Sequence, residues 1–326
     1  MIISRTPLRV SFVGGGTDFK KFYSIEDGKV ISSTVDKYLY VIFRKQSKVT
    51  KYKYRVNWSR VEFTNKINNI KHPIVKAAFR LLNINFPCEI STFSDIPAQT
   101  GMGSSSAFTV GLLNTLYAFK KIKPSKKLLA EQAAKIEIDI LKRNIGKQDH
   151  YSASYGGFNL ITFKKNMRIE VKKIKITKKN KNIFFENILL FFTDQTRNAS
   201  GILKKQKTLI YKNLDKLKKM KGLVTKSKRL LERGKFNEFG SIIDKNWHMK
   251  KTLSNNISNS KIDNFYNLAK KYGASGGKIL GAGGGGFLCF YVEKKFQKKL
   301  INQFSKLKFL KVKSESQGSK IIYRET

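Results

Sequence analysis

Pro97-Ala98-Gln99-Thr100-Gly101-Met102-Gly103-Ser104-Ser105-Ser106 runs directly into Ala107, the first residue of a segment to Phe119 that is apolar almost all round. The apolar segment predicts a buried helix, so the glycines and serines stand where that helix begins. Glycine lets backbone amides approach an anion closely and tolerates the positive φ of a concave amide nest. Unpaired amides of a first helical turn, with the positive end of the helix dipole, bind phosphate, and serine hydroxyls can contact phosphate or magnesium. The alternative is a serine N-cap on a core helix, which uses one serine and leaves Gly101-x-Gly103 unexplained. No Gly-x-x-x-x-Gly-Lys-Ser/Thr, His-Arg-Asp or Asp-Phe-Gly pattern occurs, which excludes a Walker loop and the eukaryotic protein-kinase layout.

Two further glycine segments flank this one, Val13-Gly14-Gly15-Gly16-Thr17-Asp18 and the run Gly281 to Gly286. Gly281, Gly283 and Gly286 match Gly-x-Gly-x-x-Gly, but a predicted strand, Phe287 to Val292, follows where a dinucleotide site needs a helix. Between the segments, a predicted helix from Leu128 to Lys142 places Leu129, Ala133, Ile136 and Ile140 on one face. Glu137 borders that stripe, as a metal ligand or as a glutamate paired with a lysine. Asp149 is read in a loop beyond Gly146, with Ser152, Ala153, Ser154, Gly156 and Gly157 leaving room for a ligand; it is a candidate base or an ordinary loop aspartate. His72, His150 and His248 share no ligand spacing.

Around these motifs lies a chain of 326 residues, long enough for two domains. Strand-like runs at Arg9 to Val13, Val30 to Ser33, Tyr38 to Phe43, Phe158 to Phe163, Ile169 to Ile176 and Ile183 to Thr193 mix with helical ones. The latter include Ala199 to Lys219, Val224 to Leu231 and Lys261 to Tyr272, so the class is α+β or α/β, too irregular for a doubly wound sheet. The polar run Lys178 to Asn182 predicts the boundary between domains 1–180 and 181–326. Two cysteines exclude a disulfide framework, and no apolar stretch has the length of a membrane span, which leads us to expect a cytoplasmic protein without a membrane partner. Lys and Arg number 66 against 22 Asp and Glu, a net charge of +44. The lysines are spread throughout without stacking aromatics between them, so specific nucleic-acid binding is not expected.

Taken together, Arg5 to Phe19, Pro97 to Ala107 and Lys278 to Phe287 resemble, in order and spacing, the three motifs of the GHMP kinases. The middle one differs from Pro-x-x-x-Gly-Leu-Gly-Ser-Ser-Ala by Met102 for leucine and Ser106 for alanine. The resemblance implies a ribosomal-protein-like α+β domain followed by a ferredoxin-like domain, with ATP and Mg²⁺ as cofactors. It implies that Pro97, Ala98, Gly101, Met102, Gly103, Ser104, Ser105 and Ser106 bind ATP, and that Ser105 and Glu137 hold magnesium. Asp149 would lie near the acceptor hydroxyl, with Arg9 beside the transferring group. Thr17-Asp18-Phe19 resembles the sugar-binding context of galactokinases, so Gly15, Gly16, Thr17, Asp18, Gly283 and Gly284 are expected at the substrate. Gly14 to Phe19, with Gly146 to Tyr151 and Lys278 to Phe287, is similar to members acting on the anomeric hydroxyl of D-glycero-D-manno-heptose 7-phosphate, toward GDP-heptose. Arg197 or Lys250 would clamp its 7-phosphate. A kinase for a free galactose- or fucose-like sugar, and a non-catalytic sugar-binding regulator, remain the alternatives.

Overall fold

The structure is a computed structural model that describes residues 1–47, 49–195 and 199–325; Arg197 therefore lies outside the described residues. The strands are β1 (Ile2–Val13), β2 (Gly28–Lys45), β3 (Tyr54–Asn57), β4 (Val61–Thr64), β5 (Cys88–Ser94), β6 (Phe158–Phe163), β7 (Ile169–Lys173), β8 (Ile188–Phe192), β9 (Ala274–Ile279), β10 (Phe287–Val292), β11 (Lys308–Lys311) and β12 (Lys320–Arg324). The helices are α1 (Lys20–Tyr23), α2 (Pro73–Leu81), α3 (Ser104–Phe119), α4 (Lys126–Ala134), α5 (Gln148–Tyr155), α6 (Lys178–Glu186), α7 (Ala199–Thr208), α8 (Leu214–Glu232), α9 (Phe236–Lys251), α10 (Ser260–Lys271) and α11 (Lys294–Gln303). A π-helical turn, Lys135–Ile140, continues α4.

The class is α+β, with two sheets. The larger has eight strands in the order β12-β1-β2-β5-β3-β4, with β6 and β7 added along β2; the smaller has the order β11-β8-β10-β9 and is antiparallel. β2 is the organiser of the larger sheet: its first half pairs with β6 and its second with β5, while β1 runs beside both. The expected runs Val30 to Ser33 and Tyr38 to Phe43 are thus one strand, bent where its register with β1 slips between Pro7 and Arg9. Buried α3 crosses this sheet, and Gly111 admits it closely: a Cβ there would stand 2.7 Å from Thr6 Oγ1. The two sheets share a core in which Phe12, Phe158, Phe184, Phe239 and Tyr291 pack ring against ring.

Several elements depart from the sequence reading. The polar run Lys178 to Asn182 is the first part of α6, capped by Thr177, whose side chain accepts the Asn180 amide. Phe184 and Phe185 in its last turn are buried, and the expected strand from Ile183 starts only at Ile188. The basic helices divide at 209–213 rather than at Lys219, giving α7 and the long α8. α9 has no counterpart among the expected helices, although its buried Phe239, Ile242, Ile243 and Trp247 recur at helical spacing among polar neighbours. Ile140 is 45% exposed rather than part of the buried stripe, because the π turn holds one residue more than an α turn and rotates the residues beyond it. Among the described residues no helix is long and apolar enough to cross a membrane.

Candidate active site

The middle glycine segment forms a cradle at the head of α3. Gln99, Gly101 and Gly103 have φ of 64°, 84° and 77°, alternating with residues of negative φ, as a concave amide nest requires. Gly103 is the cap residue of α3, and no side chain caps the helix, which removes the serine N-cap alternative. The serines point elsewhere: Ser105 Oγ donates to Glu137 Oε2 at 2.6 Å, and Ser106 Oγ lies 3.3 Å from His150 Nε2. Pro97, Ala98, Gln99 and Ser105 are exposed on the rim, while Met102 is buried beneath them.

Arg9 fastens this cradle to a carboxylate. At the register slip in β1 its amide donates to Met102 O at 3.1 Å. Its side chain is buried, and Nη1 donates to Gly101 O at 2.5 Å. Nε and Nη2 donate to the two oxygens of Asp149, each at 2.7 Å, a bidentate pair. Asp149 belongs to the first turn of α5, not to a loop, and its side chain keeps 23% of its surface open. Beside it, Asp18 is buried and accepts the amides of Gly16 at 3.0 Å and Gln148 at 3.3 Å. Gly146 makes room for it, since a Cβ at that position would come 1.9 Å from Asp18 Oδ2. Burial, then the charge of Asp149, raise the pKa of Asp18, against the pull of those amides.

Two lysines close the site from the smaller sheet's side. Lys250, on α9, is buried and donates to Gly281 O at 2.6 Å. Burial and the nearby Arg9 lower its pKa to about 8, while Asp18 and Asp149 oppose the shift. Lys278, on β9, donates to the carbonyls of Ser11 and Phe12 at 2.9 and 3.3 Å, and burial, then the charge of Lys250, hold its pKa well below its ordinary value. The glycine run 281–286 packs backbone on backbone: Cβ atoms at Gly281, Gly283 and Gly286 would strike Gly101, Ile257 and Thr100 respectively. Gly284 donates its amide to Ile257 O at 2.9 Å. Thr17 is also engaged internally, with Gly14 O and the backbone of Lys29. Gly15, by contrast, has room: a Cβ there would come no closer than 3.8 Å to the Ser11 and Gln148 side chains.

Glu137 forms a second centre on the other side of the cradle. The π turn swings it inward, so that it is completely buried and is paired with an arginine and a histidine rather than a lysine. It accepts from Ser105, from Thr109 Oγ1 at 3.1 Å and from Arg143 Nη1 at 2.6 Å, and lies 3.1 Å from His150 Nε2. Burial alone raises its pKa, but the hydrogen bond and charge of His150, the Ser105 hydroxyl and Arg143 outweigh this and hold it at about 2. Arg143 Nη1 also lies 2.6 Å from Ser105 Oγ, so one cationic nitrogen touches both oxygens expected to hold magnesium.

The sequence pattern of the GHMP kinases N terminal domain matches residues 69–157, and that of the GHMP kinases C terminal domain matches residues 227–307. Over 94% of its length the chain is 32% identical to the D-glycero-alpha-D-manno-heptose 7-phosphate kinase of Campylobacter jejuni, covering 93% of that protein. The chain belongs to the GHMP kinases. The crystal structure of a D-glycero-D-manno-heptose 1-phosphate kinase from Bacteriodes thetaiotaomicron shares the fold, with a TM-score of 0.83 at 21% identity and both chains covered in full. A putative sugar kinase from Campylobacter jejuni has a TM-score of 0.77 at 25% identity, over 98% of this chain and 97% of that one. As a GHMP kinase the protein is a phosphotransferase that uses ATP.

Placed on this GHMP kinase, the expected residues fall into three groups. Arg9, Gly101, Gly103, Asp149, Asp18 and Lys250 converge at one end of the cradle, and Ser105, Ser106 and Glu137 at the other. Gly283, Gly284 and Thr17 are held in backbone packing. The sequence reading missed Arg143, His150, Thr109, Lys278 and Asn246, whose Oδ1 accepts the Gly14 amide at 3.2 Å. Thr109 stands one helical turn from Ser105, a spacing open to inspection, whereas Arg143 is six residues from Glu137 and meets it only through the π turn.

Proposed function

We propose that the protein transfers the γ-phosphoryl group of ATP to the anomeric C1 hydroxyl of D-glycero-D-manno-heptose 7-phosphate, giving heptose 1,7-bisphosphate for GDP-heptose synthesis. The observation that carries this reading is the bidentate Arg9–Asp149 pair at the mouth of the amide cradle, with the Asp18 carboxylate beside it. Similarity to the heptose 7-phosphate kinase supports the choice of sugar.

ATP phosphates lie against the amides of residues 101 to 106. Asp149 has lone pairs beyond the two that Arg9 engages and receives or orients the proton of the acceptor hydroxyl. Arg9 and Lys250 screen negative charge as the phosphoryl group passes between oxygens, and Asp18 accepts hydrogen bonds from sugar hydroxyls. Lys250 is tied electrostatically to Arg9, Asp18 and Asp149, so it serves the reacting end. Arg197, the other candidate for the 7-phosphate at the far end of the sugar, lies outside the described residues. The Ser105 and Glu137 oxygens suit a hard cation, and the shared Arg143 nitrogen shows that positive charge is accommodated there. Magnesium held by them would neutralise triphosphate charge once Arg143, whose side chain is 34% exposed, swings away. Domains 1–180 and 181–326 form part of the same proposal. The change of sheet between β7 and β8 supports a division in this part of the chain, with the cut itself falling inside α6, and β12 returns the end of the chain to β1.

ATP consumption over a panel of free and phosphorylated sugars tests this, with ³¹P NMR of the product. A glycosyl phosphate signal from heptose 7-phosphate is expected; turnover of galactose or fucose instead would favour the free-sugar kinase, and no turnover with any sugar the regulator.

A further inference from the structure

The eight-stranded sheet is covered by helices on the face toward α2 and α3, where Ser4, Thr6, Val41, Phe43, Val56 and Ile90 are buried. On the opposite face the sheet is buried over the second half of β1 and the first half of β2, but side chains of β12, the start of β1, Tyr38 to Arg44 of β2, β5, β3 and β4 are half-buried or exposed. Phe93 is 58% exposed, Phe63 52%, Val61 47% and Tyr323 45%. They are not scattered. Ile3 stands between Tyr323 and Ile42, and Tyr40 between Arg5 and Phe93, so the rows run on from strand to strand. An apolar, aromatic expanse of this kind marks an interaction surface.

Its charge is unlike that of the rest of the molecule. Lysine accounts for 54 of the 326 residues, yet β1, β3, β4 and β5 contain none, and none occurs from Tyr38 to Arg44 of β2. The cations on this face are arginines with partners: Arg44 and Arg55 both bind Glu89, at 2.8 and 3.2 Å, and Arg5 lies 3.9 Å from Glu315 and over the Tyr38 ring. Lysines return at its margin, as Lys45, Lys53 and Lys320. Aromatics and arginine at the centre with lysine at the rim is the composition of a protein interface.

We propose that this face docks a second copy of the same chain, sheet against sheet about a two-fold axis. At +44, two copies repel each other wherever lysines meet, and this near-neutral patch is where they can approach. An acidic partner would be drawn instead to the lysine-covered surfaces. A two-fold contact presents the same patch from both sides, so each apolar row finds an apolar partner. The cradle lies at the head of α3, on the helical side, so docking leaves it open.

Analytical ultracentrifugation of the full chain over a concentration series tests the proposal. Twice the 37.4 kDa mass of one chain is expected. The dimer should tighten as salt rises, because salt screens the overall repulsion while an apolar contact persists. Ile42→Lys with Phe93→Lys should give a monomer whose kinase rate stays within about twofold of wild type, with far-UV circular dichroism confirming that it is folded. Phe63→Ser is a milder second variant and should weaken association about tenfold. A wild-type chain that stays monomeric at every concentration and salt would overturn the proposal, whether or not another protein binds the face. So would a dimer that survives the double substitution. Neither outcome bears on the sugar reading, which is tested separately by turnover.

Discussion

Glu137 and Asp149 flank the same amide cradle, yet their surroundings differ in kind. Glu137 is wholly buried and meets two hydroxyls, a guanidinium and an imidazole. Asp149 is gripped by one guanidinium and keeps part of its surface open. A carboxylate whose lone pairs are all engaged and whose pKa is held at about 2 cannot exchange a proton near neutrality; it is a fixed negative charge. One anchored on a single side, next to a cleft, can receive a hydroxyl group. On the reading proposed above, the contrast gives anchoring to Glu137 and chemistry to Asp149, and five experiments bear on it.

The largest effect is expected at Asp149. Asp149→Asn should lower kcat by about 10² or more while leaving ATP binding intact, measured by steady-state kinetics beside nucleotide titration. Near-wild-type turnover would remove Asp149 from the reaction. Glu137→Gln should act first on stability. Its pKa is depressed on folding, so its contribution is present above the ordinary carboxylate range and is lost as pH falls toward 2. A depression of that size corresponds to about 3 kcal/mol near neutrality. Urea unfolding of wild type and variant should therefore differ by that order at pH 7 and converge in acid; equal stability at pH 7 would show that the charge is not an anchor.

Smaller shifts are expected at the proposed cation position. Ser105→Ala should raise the magnesium concentration for half-maximal rate several-fold, because a hard cation loses an oxygen. Arg143→Ala should do the opposite for Mn²⁺ bound without nucleotide, read by electron paramagnetic resonance, since the competing guanidinium is gone. Unchanged titrations in both would leave this centre purely structural. The smallest effect concerns pH. Lys250 is cationic below about 8 and loses its proton above it, so the rate should fall as pH rises through that value. Lys250→Arg should move the alkaline limb upward, because a guanidinium stays charged. An alkaline limb that does not move would remove Lys250 from charge screening.

The same contrast separates what is legible in the sequence from what is not. The Asp149 centre can be read because glycines mark it: Gly101 and Gly146 stand where backbone or a side chain comes too close for a Cβ, Gly103 holds a φ of 77°, and such positions announce themselves in sequence. The position of Asp149 on a helix cannot, since α5 has a nearly uniform mixture of polar and small residues with no apolar stripe. At Glu137 the side chain is legible and its partners are not. The π turn breaks the helical period, taking Ile140 out to solvent and bringing Arg143 round to Glu137 and Ser105, and nothing in local composition encodes that extra residue. Lys250 stands out in the sequence without its helix. The buried face of α9 is interrupted by Asn246 and by Lys250 itself, polar groups whose burial makes sense only against Gly14 and Gly281 from distant segments. The α+β fold is legible from three motifs in order; the path of β12 back to β1 is not, because pairing so far apart in sequence leaves no local trace.

If Asp149 and its neighbours act on a sugar that carries its own phosphate, that phosphate contributes to transition-state binding. The ratio of kcat/KM for heptose 7-phosphate to that for heptose measures this, taken at one salt concentration so that long-range steering is constant. Loss of the phosphate leaves cationic groups unpaired, so the ratio should be about 10² or more. Equal values for the two sugars would contradict the account.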